Sequence, residues 1–319
     1  MKENKVHKVC KVVKFIKLCL TFCFINFITF NCCAQQDPQF SLYMFDKMAL
    51  NPAAAGSKDA LEVNIIARDQ WLDIQGAPLT DAIMVSAPSA GKHTGWGFEV
   101  MNDNIGPTTS NSVQGNYAYN IPIGPGKLAM GLGVGVYDYT FNWTQIDYRD
   151  KTDIYALANG GSKITPTAEA GLYYHTSTWY AGFSVNHLIE SSLTNVNIAN
   201  TSATFSAHEY LIAGKAFQSA SGIIWNPSII LQLAQNAPPA ASINLNVLLA
   251  EKIWLGASFK PGYGGVLLVS YKASKTFRIG YAYDLGLNGI GVIGGGSHEL
   301  SLTIDFASNK ATQVSPRFF

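Results

Sequence analysis

The stretch 127–139, KLAMGLGVGVYDY, constrains the fold most, because its two faces have incompatible chemistry. Successive side chains on a β-strand point to opposite faces. One face is Leu128, Met130, Leu132, Val134 and Val136, and the other is Ala129, Gly131, Gly133, Gly135 and Tyr137. No charge lies between Lys127 and Asp138, and this span is long enough to cross a bilayer as a tilted strand. The pattern predicts a transmembrane strand with its aliphatic face toward lipid; a buried, glycine-rich strand of a soluble β-protein fits equally well.

The first 34 residues have the composition of a cleavable export signal. Six lysines precede an apolar run from Leu18 to Phe30. Asn31 follows the run, and then come Cys32, Cys33 and Ala34. Small residues at that point suit cleavage before Gln35. A permanent membrane helix fits less well because the run is short for a bilayer span. Lipid attachment also fits less well, because Asn31 is large for the position before a modified cysteine.

Removal of residues 1–34 changes the charge and the cysteine content. Six of the 22 basic residues and one of the 21 acidic residues lie there, which leaves 16 basic and 20 acidic residues and a net charge of −4. The remaining chain has no basic run, so nucleic acid is not an expected partner. All five cysteines also lie in residues 1–34. We therefore expect no disulfide and no thiolate metal site, as suits a bacterial envelope protein.

The overall composition leaves two fold classes. Only 13% of residues are charged, and the chain has 29 glycines and 15 tyrosines. No apolar run of about 18 residues follows the leader, which excludes helical membrane spans. The remaining classes are a β-barrel in lipid and an unusually apolar soluble β-fold.

Alternating hydrophobicity predicts fourteen strands after the leader. They are 61–68, 80–87, 95–101, 113–121, 127–139, 165–175, 178–187, 209–217, 222–233, 241–249, 252–260, 265–272, 276–285 and 297–306. An even number of antiparallel strands, joined by alternating short and long connections, can close every edge in lipid. The predicted fold is an all-β transmembrane antiparallel barrel of about 14 strands over 58–306. An ordered N-terminal segment, 35–57, is expected in the lumen or at the periplasmic mouth, and 307–319 form a C-terminal tail.

Aromatic residues near the predicted strand ends support the barrel over a soluble sheet, because such residues form girdles at both membrane interfaces. They are Tyr117, Tyr119, Tyr137, Tyr139, Trp179, Trp254, Tyr281 and Tyr283. Inside the barrel we expect charge pairs between Arg68 and Glu62, with Glu99 and Glu169 nearby.

Residues with catalytic or ligand-binding chemistry do not form a recognisable site. The five histidines after the leader, at 93, 175, 187, 208 and 298, lack metal-ligand spacing with one another or with carboxylates. No G-x-S-x-G motif occurs, and the glycines of 291–296 precede a strand without a following helix. We expect no catalytic residue, cofactor or metal, and hence no enzyme.

Several motifs in the N-terminal half resemble the PorP/SprF family of Bacteroidetes outer-membrane proteins. They are QDPQFSLYMFDKMALNPAAAGS at 36–57, Arg68-Asp69-Gln70-Trp71, Gly76-Ala77-Pro78 with Thr80, and Asp103-Asn104-Ile105-Gly106. Ser297-His298-Glu299 and the C-terminal Pro316-Arg317-Phe318-Phe319 are also similar. One departure is Ala53-Ala54-Ala55, where a bulkier aromatic residue often interrupts the alanines. The family motif residues here are Asn51, Pro52, Gly56, Arg68, Gln70, Trp71, Gly76, Pro78, Thr80, Asp103 and Gly106.

The resemblance implies a role in type IX secretion and gliding. The chain would lie in outer-membrane lipid, bind the C-terminal domain of a large secreted adhesin, and help to export or anchor it. Periplasmic, peptidoglycan-associated components of the system are the other implied partners. We expect the motif residues to be structural or to contact partners, and Trp71 to lock the N-terminal segment against the wall or, less favoured, to present a contact edge.

The alternative function is a passive channel or small-solute transporter, and an enzyme is a third. A continuous polar lumen would favour the channel, whereas a lumen filled by the N-terminal segment would favour the anchor. With the resemblance, we expect Gly131, Gly133 and Gly135 to face packed chain or side chains.

Overall fold

The computed structural model describes residues 38–58, 60–91, 93–150, 152, 161–189, 205–235 and 237–306. The predicted leader and C-terminal tail therefore lie outside the described residues. The strands are β1 (Leu61–Asp69), β2 (Leu79–Pro88), β3 (Thr94–Ile105), β4 (Thr108–Ile123), β5 (Gly126–Phe141), β6 (Gly161–His175), β7 (Trp179–Asn186), β8 (His208–Lys215), β9 (Phe217–Gln218), β10 (Ile224–Ala234), β11 (Ala240–Leu249), β12 (Ile253–Lys260), β13 (Gly264–Lys272), β14 (Phe277–Gly286) and β15 (Ser297–Phe306). The helices of these described residues are short: 3₁₀ turns at Lys47–Ala49, Pro52–Ala54 and Trp143–Gln145, and α1 (Gly289–Ile293). None of the helices in this part of the chain is long and apolar enough to cross a membrane.

Fourteen antiparallel strands close into one barrel. β1 pairs with both β2 and β15, and β10 pairs with both β8 and β11, so the ladder returns to its start. Closure leaves no open sheet edge, as a strand fold in lipid requires. Each of the fourteen predicted strands is present, and the barrel prediction is confirmed.

Among the strands of the described residues, β9 alone lies outside the closed ladder. Residues 209–217 were predicted as a single strand, but β8 ends at Lys215 and β9 pairs only with the start of β10. Between them, the Ala216 N–H donates to the carbonyl of Thr178, the residue before β7. Pro227 of β10 lies at this break, and it has no N–H to donate to the ladder.

The outer surface of the barrel is apolar. On β5, Leu132 is 63% exposed and Val134 is 66% exposed, whereas Ala129, on the opposite face, is fully buried. Aliphatic residues alternate outward in the same way on the other strands, which a soluble β-protein does not tolerate around its whole circumference. Exposed aromatic residues lie near strand ends, at Trp96, Tyr117, Tyr119, Trp179, Phe217, Trp225, Tyr271 and Phe277.

Two residues predicted for the aromatic girdles face inward. Trp254 is 5% exposed, and its ring meets Phe45 edge-on at 6.0 Å between centroids. Tyr137 packs against buried residues of the lumen. On β12, Ile253, Leu255 and Phe259 take the outward positions, so strand alternation turns Trp254 inward.

The two ends of the barrel differ in their connections. β1 begins and β15 ends at what we call the short-turn end, where tight turns such as 124–125 and 250–252 join the strands. The opposite, long-connection end carries the connections 70–78, 142–160, 187–207 and 287–296. Strand alternation along an up-and-down barrel places every second connection at the same end.

The N-terminal segment, residues 38–57, lies inside the barrel. Leu42, Met44, Phe45 and Ala53 are each at most 2% exposed, and they pack with inward side chains of the wall. Ser41 contacts Glu299 near the long-connection end of β15, whereas Gly56 approaches Gly95 near the short-turn end of β3. The segment therefore runs along the lumen from one end toward the other.

Candidate functional site

Asn51 and Pro52 fix the middle of the N-terminal segment to the barrel wall. The Asn51 side chain accepts a hydrogen bond from Ala53 N at 2.9 Å, which caps the 3₁₀ turn that begins at Pro52. The Asn51 amide nitrogen donates to the carbonyls of Leu172 at 3.0 Å and Phe183 at 3.2 Å. One buried side chain thus joins the segment to β6 and β7.

Glycines of the wall make room for the N-terminal segment. A Cβ added at Gly131 would overlap the Ala53 backbone, and one at Gly95 would overlap Ala55. Gly56 has a φ of +63° and lies against Gly95. Only glycine combines this backbone conformation with so close an approach. The bare face of β5 therefore meets packed chain at Gly131.

The other two glycines of that face contact the barrel wall itself. A Cβ at Gly133 would meet the side chains of Asn116, Gln114 and Glu169, and one at Gly135 would meet the backbone of β4. Neither glycine faces open lumen space.

Arg68 connects the N-terminal segment to two buried carboxylates. Its guanidinium donates to Glu299 Oε2 and to Asp284 Oδ2, each at 2.9 Å. The backbone N–H groups of Ser41 and Leu42 donate to the two oxygens of Glu299 at 2.7 and 2.8 Å. The Ser41 hydroxyl donates to Asp284 at 2.7 Å. We call Ser41, Arg68, Lys260, Asp284 and Glu299 the Arg68 network.

Lys260 balances the charge of the Arg68 network. Its ammonium lies 3.2 Å from Asp284 Oδ2 and 3.0 Å from the Ser41 hydroxyl. Two cations and two carboxylates therefore share one buried volume. Such a group is stable only while its members remain paired.

The prediction of an ion pair between Arg68 and Glu62 is wrong. The two residues lie six positions apart on β1, or about 20 Å along the strand, and hence near opposite ends of the barrel. Glu62 pairs instead with Lys58 at 2.5 Å and with Arg278 at 3.7 Å. Lys58 also donates to the Phe45 carbonyl at 2.6 Å. Charged groups thus hold the segment at Ser41 and Leu42, near one end of the barrel, and at Phe45, near the other.

Two charged residues of the N-terminal segment are themselves buried in the lumen. Burial, together with the nearby Glu62 carboxylate, raises the pKa of Asp46 to about 6. Burial and the nearby Lys58 ammonium lower the pKa of Lys47 to about 7. Both charged forms lose solvation when the segment enters the lumen, so apolar packing and the surrounding ionic contacts must offset that cost.

Trp71 joins two connections at the long-connection end. Its backbone has a φ of +53°, and its N–H donates to Ser297 Oγ at 3.3 Å. The next two N–H groups, of Leu72 and Asp73, donate to the carbonyls of Gly296 and Gly294 at 3.2 Å. The Trp71 side chain packs on Gly294. Trp71 therefore locks connection 70–78 to connection 287–296, while Arg68 holds the N-terminal segment.

We call the contacts of Trp71, Leu72 and Asp73 with connection 287–296 the Trp71 clamp. The remaining motif residues extend these contacts toward β3. Gln70 N donates to the Pro78 carbonyl at 2.9 Å, which closes the base of connection 70–78. Gly106 N donates to the Gly76 carbonyl at 2.8 Å, and both glycines have positive φ. Behind them, the Thr80 hydroxyl donates to Asp103 at 2.6 Å.

The motif residues thus form two groups. Asn51, Pro52 and Gly56 lie in the lumen, and the others surround the long-connection end. Part of the second group is recognisable because its residues are close in sequence. Ser41 and Glu299 also lie in motifs that resemble the family, but Asp284 lies in none, and no local pattern shows that these three residues meet.

An apolar cap covers part of the long-connection end. It consists of Leu72, Leu287, Ile290, Val292 and Ile293. Val292 and Ile293 are each 69% exposed, and Leu287 is 66% exposed. Asn288 caps α1 through a hydrogen bond from Gly291 N at 2.8 Å, and Trp71 packs beneath the following glycine. The clamp therefore presents aliphatic side chains on a fixed backbone.

Two of the described histidines make side-chain contacts with hydroxyl groups of the barrel wall. His187 Nδ1 lies 3.2 Å from the Thr167 hydroxyl, and His298 Nδ1 lies 2.7 Å from the Tyr281 hydroxyl. Within the described residues, no group of three or more His, Cys, Asp or Glu is arranged to hold a metal ion. The absence of an enzymatic activity stays a prediction.

Comparison with protein families decides the assignment. A model of the family of type IX secretion system membrane proteins PorP/SprF matches residues 32–304. The chain belongs to this family. The resemblance seen in the motifs is confirmed. Family and barrel together support an outer-membrane location.

Solved structures with some likeness to the chain include outer-membrane proteins of other kinds. The chain is 10% identical to the CymD monoaromatic hydrocarbon channel, with 83% of this chain and 94% of that chain covered and a TM-score of 0.46. A Pseudomonas aeruginosa FadL homologue is 12% identical, with 85% and 95% covered and a TM-score of 0.46. The siderophore receptor PirA from Acinetobacter baumannii is 10% identical, with a TM-score of 0.33. The match covers 71% of this chain but only 43% of the length of PirA. A search of curated protein sequences finds no match.

Proposed function

We propose that this family member is a non-enzymatic outer-membrane anchor that binds the C-terminal domain of a secreted adhesin. In this role it helps to export the adhesin in type IX secretion or to hold it at the cell surface, where the adhesin serves gliding. Periplasmic, peptidoglycan-associated components of the system are the proposed partners at the short-turn end.

The apolar cap is the observation that carries this proposal. In outer-membrane barrels the long connections face the cell exterior, so the cap would meet a protein that has crossed the membrane. Exposed aliphatic side chains on a soluble surface mark sites of protein interaction. Val292 and Ile293 lie on a helix held by the Trp71 clamp, so little order is lost when a partner binds.

The filled lumen supports an anchor over a passive channel. Residues 38–57 occupy the space through which a solute would pass, and the Arg68 network and Lys58 hold the segment at Ser41 and at Phe45. Passage of a solute would require both groups of charge contacts to break. An anchor has no such requirement.

Affinity purification from outer membranes tests the proposal. We expect the tagged wild-type protein to recover a large protein with a type IX C-terminal domain. The double variant Val292→Ser, Ile293→Ser removes the aliphatic centre of the cap, and we expect recovery to fall at least about tenfold, since central apolar contacts each contribute about 1–2 kcal/mol.

The control for this experiment is Ile123→Ser, which changes an exposed aliphatic residue at the short-turn end. We expect this variant to recover the adhesin as well as wild type. Equal recovery by the double variant would contradict the role of the cap. A purified protein that carries no adhesin and conducts ions in bilayers would overturn the anchor in favour of the channel.

A further inference from the structure

A cavity of about 660 Å³ opens on the outer wall of the barrel across β7, β8, β10 and β11. Ala181 and Ala213 lie side by side at its floor, since they are cross-strand partners on the outward face. In the next outward row toward the long-connection end, the paired residues are the larger Phe183 and Leu211. Two small residues among large ones therefore make a depression in the apolar surface.

The walls of this cavity are apolar on three sides. Ile229 is the cross-strand partner of Ala213, and Ile243 is the partner of Ile229. Trp179 stands on the side toward the short-turn end and packs against Tyr174 at 5.0 Å between ring centroids. The depression has the chemistry of a slot for a hydrocarbon chain.

Lys215 introduces a cation at the short-turn edge of the slot. It is exposed, lines the cavity and pairs across strands with Trp179. Its ammonium lies over the Phe217 ring at 4.9 Å from the centroid. Phe217 pairs with Trp225, and both rings are exposed at this end of the barrel. A lysine that extends toward an aromatic girdle places its charge at the depth of lipid headgroups.

We infer that this slot binds one anionic phospholipid from the leaflet at the short-turn end. An acyl chain lies over Ala181 and Ala213, and the headgroup phosphate pairs with Lys215. Charge complementarity favours this ligand over a second copy of the chain. A two-fold contact through the same patch would bring Lys215 near the Lys215 of the second copy without a compensating carboxylate among the lining residues.

Native mass spectrometry of the full-length barrel, released from nanodiscs that contain equal amounts of phosphatidylglycerol and phosphatidylcholine, tests the inference. We expect wild type to retain one phosphatidylglycerol in preference to phosphatidylcholine. Lys215→Gln is expected to lower this preference about fivefold, since one lysine near an anionic surface contributes about 1 kcal/mol. Ala213→Leu fills the floor of the slot and is expected to lower retention of both lipids.

Lys275→Gln is the matched control, because it removes a lysine from the turn between β13 and β14 on the same rim, outside the slot. The site is supported if Lys275→Gln retains phosphatidylglycerol as wild type does, while Lys215→Gln loses the preference for it and Ala213→Leu loses both lipids. The inference is overturned if Lys215→Gln and Ala213→Leu both retain phosphatidylglycerol as wild type does, or if Lys275→Gln loses as much as Lys215→Gln. A dimer that is free of lipid in wild type and becomes monomeric in Ala213→Leu also overturns it, in favour of a second copy.

Discussion

Replacing Arg68 by alanine is expected to lower the free energy of unfolding by about 3–5 kcal/mol. The substitution leaves the carboxylates of Glu299 and Asp284 buried with only Lys260 as a cation, and an uncompensated buried charge carries a penalty of this size. Urea titration of the protein refolded into lipid vesicles, followed by tryptophan fluorescence, measures the change. Because Ser41 and Leu42 bond to the same carboxylates, we also expect residues 38–45 to become accessible to protease.

Two further variants separate the network from a general effect of charge. Arg149→Ala removes an exposed arginine from a long connection, and we expect it to change stability by no more than about 0.5 kcal/mol. Adding Glu299→Gln to Arg68→Ala removes the carboxylate that loses its cation, while Asp284 keeps Lys260, and should restore part of the loss. If Arg68→Ala were as mild as Arg149→Ala, the Arg68 network would not hold the segment.

Replacing Gly131 by leucine is expected to displace the N-terminal segment while leaving the barrel closed. The new side chain would occupy the position of the Ala53 backbone, and overpacking of this kind costs about 1–3 kcal/mol. Hydrogen exchange reports the local opening free energy of each part of a fold. In peptides that cover 40–55 we therefore expect exchange to accelerate about 10- to 100-fold, with little change in peptides from β5.

Gly115→Leu is the control for this substitution. Gly115 lies on β4, next to β5, but a Cβ added there meets nothing within 4 Å because the residue faces outward. We expect exchange in peptides 40–55 to match wild type in this variant. Equal acceleration by both leucines would mean that Gly131 is not in contact with the segment.

The strands and their faces were predictable from the sequence because both follow from local alternation. On β5 the aliphatic face and the glycine face differ so strongly that only one orientation is possible in lipid. Local alternation did not predict the break between β8 and β9. The break at Ala216 depends on Pro227, which lies on a different strand, and alternation within 209–217 gives no sign of it.

The contacts inside the lumen were only partly predictable. The glycines of β5 and the ordered character of 38–57 indicated a filled interior, but not which groups hold it. Arg68 and Glu299 are 231 positions apart in the chain, and their meeting is fixed by closure of β15 onto β1. For Trp254 the sequence held the answer but the prediction was wrong. Its place near a strand end suggested the aromatic girdle, whereas the alternation of its neighbours turns the side chain inward.

Site-specific photo-crosslinking in living cells tests the central claim most directly. A photoreactive amino acid in place of Val292 samples the apolar cap, and one in place of Ala220, exposed at the short-turn end, samples the opposite side. We predict that position 292 crosslinks to the C-terminal domain of a secreted protein and that position 220 does not. Crosslinks to such a domain from position 220 alone, or from neither position, would contradict an anchor that binds its adhesin through the cap.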